Sequence, residues 1–108
     1  MAPKWYEYAK SKLDKDEVIE KNYEGRLDGE FGYLFLTSER ILFLKQEGFF
    51  RKNYEVIMDS PKGEVESLEK TEGNRIEIVD KDGNKHLFES DIGVSIIQNT
   101  LQEAIMAD

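Results

Sequence analysis

The chain has 108 residues and a formal charge of −8, from 23 acidic and 15 basic side chains. That length supports one hydrophobic core and excludes two domains, while the acidity disfavours nucleic acid and anionic lipid, whose phosphates the averaged field repels. With no cysteine, disulfides, thiolate metal sites and cysteine nucleophiles are excluded, and the chain suits a reducing cytoplasm.

No window approaches the roughly 18 apolar residues of a transmembrane helix, and residues 1–14 lack the apolar centre of a signal peptide. A cytoplasmic location is therefore expected. Charged residues make up 35 % of the chain, but the apolar residues fall into periodic groups, which predicts an ordered protein with a heavily solvated surface.

Trp5, Tyr8, Ala9 and Leu13 follow the spacing of a one-faced helix, with Pro3 where a first turn tolerates proline. Residues 1–15 are read as a short amphipathic helix preceding a domain over 16–108. Asp28-Gly29 is a hairpin signal that should fold a strand from about Val18 to Leu27 back onto one from Glu30 to Leu36.

Leu34 to Leu44, LFLTSERILFL, sets four polar residues between two apolar runs. On a helix these residues would be apolar all round, and the β-favouring Tyr33, Phe35, Thr37, Ile41 and Phe43 argue for strands. Thr37 to Arg40 is then a tight turn. Phe49 to Ile57 reads as a further strand, ended by Asp59 to Gly63.

Glu64 to Thr71 alternates weakly, Glu72-Gly73-Asn74 turns, and Arg75 to Val79 alternates clearly. Asp82-Gly83 leads into His86 to Glu89 and completes seven strands. The period then changes: Ile96, Ile97, Leu101, Ala104 and Ile105 form a helical stripe, with Ser90 or Asp91 as its N-cap.

The segment LTSERILFL, Leu36 to Leu44, resembles the L-T-x-x-R-[LI]-[LIV]-[FY] hairpin signature of GRAM and small bacterial PH-like domains. An acidic D-E-V-I lead-in at Asp16 to Ile19 and the order of later elements extend the resemblance to about Ala107. It implies a mainly β, α+β fold: a seven-stranded antiparallel PH-like split barrel of two roughly orthogonal sheets, capped by the C-terminal helix. The short N-terminal helix is an addition to that plan.

For Thr37 and Arg40 a structural role is expected, Thr37 bonding turn backbone and Arg40 pairing with a nearby carboxylate. The C-terminal stripe, with Ile97, Leu101 and Ile105, is expected in the core. The resemblance implies a non-catalytic binding module for an unidentified protein or for itself.

The lipid site of phosphoinositide-binding relatives is mostly missing, because the loop RLDGEFG carries Asp28 and Glu30 and only Arg26 is basic. The exception is KQEGFFRKNY, where Lys45, Arg51 and Lys52 flank Phe49 and Phe50, a combination suited to membrane insertion. If the strand has begun there, one phenylalanine at most faces the core. Burial against a loop or subunit is preferred to lipid contact for the other, and a membrane surface remains the alternative disfavoured by charge.

Trp5 and Tyr8 need cover too, either from a sheet of the same chain or from a second subunit. Residues 33–36 and 41–44 are apolar on both faces, so their outward side has the same need.

Two motifs are rejected. DKDGNK, Asp80 to Lys85, lacks the EF-hand glycine position and flanking helices and is read as a turn. Lone His86 has no nucleophile that spacing singles out and is read as a partly exposed cross-strand residue. No phosphate-binding glycine loop occurs. No metal or cofactor is expected, and an enzyme or small-ligand carrier is the least supported reading.

Overall fold

The computed structural model describes residues 2–91 and 93–106; Met1 and residues 107–108, at the ends of the expected segments, lie outside these. A helix α1 (Lys4–Ser11) is followed by strands β1 (Ile19–Leu27), β2 (Glu30–Thr37), β3 (Arg40–Glu47) and β4 (Asn53–Pro61). A short 3₁₀ turn (Lys62–Glu64) leads to β5 (Val65–Thr71), β6 (Arg75–Asp80), β7 (Lys85–Glu89) and the closing helix α2 (Val94–Met106).

Turn chemistry sets the order locally. Asp28 and Gly29 both take positive φ, at 52° and 85°, as do Gly73, Asn74 and Gly83, so the β1–β2, β5–β6 and β6–β7 hairpins reverse where the sequence offers residues that tolerate the left-handed region. In DKDGNK, Asp80 accepts from the backbone N–H of Asp82 and Asn84 and from the Asn84 amide. Those donors, the Asn84 amide first, lower the Asp80 pKa. The segment is a hairpin turn with its acidic side chain satisfied internally.

All neighbouring strands run antiparallel, in the order β4-β3-β2-β1-β7-β6-β5. The seven antiparallel strands, expected as two roughly orthogonal sheets, are hydrogen-bonded as one continuous sheet, in which β1 meets β7 through a short seam, Arg26↔Glu89 and Leu27↔Phe88. Gly25 permits the seam: a Cβ there would lie 2.3 Å from the Glu89 carbonyl oxygen and 2.7 Å from the Phe88 ring.

Alternation within β2 and β3 divides the apolar residues between two faces. Leu34, Leu36, Ile41 and Phe43 enter the main core with Leu27, Ile76, Ile78 and Phe88. Against them α2 lays Val94, Ile97 and Leu101 as buried residues, with Ala104 and Ile105 partly buried. Ile96, expected in this stripe, is instead 69 % exposed; α2 starts at Val94, later than the Ser90–Asp91 start, and its inward face runs through Val94, Ile97 and Leu101.

On the other face Tyr33, Phe35, Leu42 and Leu44 form a second buried cluster with Ala9 of α1. Trp5 stacks on Tyr33, with ring centroids 4.1 Å apart and planes 8° apart, and Tyr8 lies 5.5 Å from Tyr54. The outward apolar side of β2 and β3 therefore finds its cover in the same chain. Eight residues of helix would be marginal alone, so its aromatic contacts with the sheet hold it.

Candidate functional site

The β3–β4 connection places Phe49 and Phe50 outside both cores. Their exposures are 89 % and 96 %, and they touch each other edge to face at 4.9 Å. The sequence predicts a strand from Phe49, with at most one ring facing the core and the other covered by a loop or subunit; β4 instead begins at Asn53, and neither ring reaches a core. Gly48 causes the departure. Its φ of +103° and the 2.1 Å from a built Cβ to the Arg51 carbonyl oxygen show a tight reversal that strand geometry cannot accommodate.

Arg51 and Lys52 are exposed beside the rings. Lys45, grouped with them by sequence, is held away from the tip by Glu30 at 3.2 Å and Glu47 at 3.6 Å. The Glu30 contact is the main cause of its raised pKa. The tip thus combines two solvated aromatic rings with two bases, a protruding surface that nothing among the described residues covers.

At the other end of β3, Thr37 and Arg40 organise a buried polar network around Glu17. The Arg40 guanidinium grips both carboxylate oxygens, Nε to Oε2 at 2.8 Å and Nη2 to Oε1 at 2.7 Å. Thr37 Oγ1 donates to Glu17 Oε2 at 2.5 Å and accepts from the backbone N–H of Glu39 and Arg40. The Asp14 N–H donates to Glu17 Oε1 at 3.0 Å, while Arg40 Nη1 donates to Asp59 and Nη2 also donates to Asp14.

The Glu17 side chain is fully buried and Arg40 is 16 % exposed. Burial alone would raise the Glu17 pKa, but the Thr37, Asp14 and Arg40 hydrogen bonds together outweigh it and hold the carboxyl low. Arg40 is pushed up, chiefly by its hydrogen bond to Glu17. The expected turn bonding of Thr37 and ion pairing of Arg40 are both present.

Sequence reading missed Glu17 as the partner. Its place in the acidic lead-in was visible, but Asp14, Asp16 and Glu17 are indistinguishable by spacing. Asp14, Glu17 and Glu39 do bring carboxylate oxygens within 4.8 Å of one another; Arg40 already supplies the positive charge a metal ion would bring.

Other sequence candidates have structural settings. His86 is partly exposed, opposite Ile78, and its Nδ1 lies 2.7 Å from Asp28 Oδ2. Asp28 Oδ1 also accepts from the Leu87 N–H, so this pair ties the first hairpin turn to β7. A half-open cleft of about 300 Å³ between Arg26, Phe31, Asn74 and Glu89 is lined mainly by polar groups. Another of about 450 Å³ lies beneath α1, beside Leu13 and Val18.

No family model matches the chain, and no curated protein matches it in sequence. Among solved structures it is similar to the C-terminal domain of an unknown protein from Leishmania infantum. Identity is 14 % and the TM-score 0.68, over 95 % of this chain and 93 % of that one. At that identity the likeness shows a shared fold alone.

Proposed function

We propose that the chain is a non-catalytic, PH-like or GRAM-like binding module of the cytoplasm that docks onto a protein partner through the β3–β4 tip. The observation that carries this reading is the near-complete exposure of Phe49 and Phe50, since aromatic side chains contribute large buried areas to interfaces. Against catalysis, Glu17, Arg40, Lys45 and Asp80 owe the direction of their shifts to partners that hold architecture together, and Tyr33 is raised chiefly by its burial beneath α1.

Self-association through Trp5 and Tyr8 is less favoured, because both rings pack on their own sheet. A membrane surface is a second reading, supported by Arg51 and Lys52 beside the two rings. It is opposed by the net charge of −8.

The test compares wild type with the Phe49→Ser/Phe50→Ser variant in capture from source-cell extract and in vesicle flotation. A protein-binding tip loses captured partners in the variant, and wild type does not float. Capture of the same set by both proteins overturns the assignment of the site. Flotation that depends on the two rings moves the assignment to a membrane.

A further inference from the structure

The sheet order leaves two terminal strands, β4 and β5, each with an edge that, among the described residues, pairs with no other strand. Those edges differ. α2 packs on β5, where Gln98 Nε2 donates to the Leu68 carbonyl at 3.0 Å and Lys70 Nζ donates to Ser95 Oγ at 2.8 Å. Along β4, among the described residues, backbone pairing runs only to β3 and no side chain bonds its main chain.

An open edge offers its N–H and C=O groups to another strand unless something interrupts it. Half of β4 is interrupted. Phe43 pairs with Met58 and Leu44 with Val56, so Ile57 is a bulge, and beyond it Asp59 is engaged by Arg40. The other half, Asn53 to Val56, pairs regularly with Leu44 to Glu47 and rises directly from the aromatic tip.

Two phenylalanines supply roughly 150–250 Å² each, short of the roughly 800 Å² per partner of a stable complex. The adjoining edge supplies further contact area and the directional hydrogen bonds that two rings lack.

We propose that an extended segment of a partner protein adds to the sheet along Asn53–Val56 while Phe49 and Phe50 seat in the same partner. This rests on the tip reading above and names its partner class. Tyr54 and Val56 are half-buried on the α1 side and ask for apolar residues in the added strand. Glu55, on the opposite face, is exposed and without an ion pair, so it asks for lysine or arginine there. A second copy fits poorly, since two β4 edges bring a second charge of −8 and no base of their own.

The test uses full-length protein and three short capped peptides: alternating valine and lysine, alternating valine and glutamate, and the lysine peptide interrupted by proline. Binding is followed by amide NMR. The lysine peptide is expected to shift the Asn53 to Val56 amides, to bind about fivefold more tightly than the glutamate peptide, and to lose about fivefold in Glu55→Lys. Proline interruption should abolish binding. Absence of binding, shifts confined to β5 and α2, or indifference to proline overturns edge addition.

The two proposals fail separately. Peptide binding at the edge together with capture of the same partners by wild type and Phe49→Ser/Phe50→Ser upholds the edge and removes the tip. Capture that depends on the rings without any peptide response upholds the tip and removes the edge.

Discussion

Replacing Arg40 by Met should destabilise the fold by about 2–4 kcal/mol near neutral pH. The substitution strands a buried carboxylate, for which a lost partner typically costs about 3–5 kcal/mol. Thr37 and the Asp14 N–H still bind Glu17, which trims that range. In a domain of this size the melting temperature should fall by roughly 10–20 °C.

The pH dependence identifies the mechanism. In the wild type Glu17 has a lowered pKa, so its stabilisation is present above the unfolded value and is lost as pH falls through the folded value. Without Arg40 its hydrogen bond and charge no longer lower the Glu17 pKa, while Thr37 and the Asp14 N–H still do, so the folded pKa rises relative to the wild type. The variant then loses less on protonation of Glu17 than the wild type does.

Urea unfolding from about pH 7 to about pH 4 should therefore show the stability difference shrinking with acid. Glu17→Leu/Arg40→Met, which removes both charges, should recover most of the loss. A difference below about 1 kcal/mol, or one constant with pH, would refute the buried-pair argument.

The α1 packing makes a contrasting prediction for Trp5→Ser/Tyr8→Ser. Loss of the stacked Trp5 and the Tyr8 contact should cost about 2–4 kcal/mol, read as a lower urea midpoint. Unchanged stability with a drop in solution mass would place the helix on a second copy instead. Gly48→Ala should cost about 1–3 kcal/mol, because its φ and its approach to the Arg51 carbonyl oxygen both oppose a Cβ. By reshaping the tip it should weaken capture as measured against wild type; unaltered capture and stability would show that the reversal is not required.

Short-range chemistry made much of the fold readable in the sequence. Asp28-Gly29, Gly73-Asn74 and Asp82-Gly83 announced hairpins because backbone tolerance of positive φ belongs to individual residues. The β-rich run from Leu34 to Leu44 likewise declared strands on both sides of a turn, and a Thr37–Arg40 turn motif declared that Arg40 wanted a carboxylate.

Which carboxylate, however, depended on chain segments meeting in space. Glu17 reaches Arg40 across 23 positions because the Val18 N–H bonds Ser38 Oγ and the Ser38 N–H bonds the Val18 carbonyl, bringing the lead-in against the turn. Nor could periodicity choose the partner of Trp5; only the folded β2–β3 face, with Tyr33 and Phe35 side by side with Leu42 and Leu44, supplied one.

The same division holds at the tip. Phe49 and Phe50 are as apolar as any core residue, and the sequence alone determined their identity and their basic neighbours. Their exposure was decided in three dimensions, where the reversal at Gly48 delays β4 until Asn53 and carries both rings past the end of the sheet. Local propensity names what a residue can contribute, but burial is a property of the surfaces that other segments bring to it.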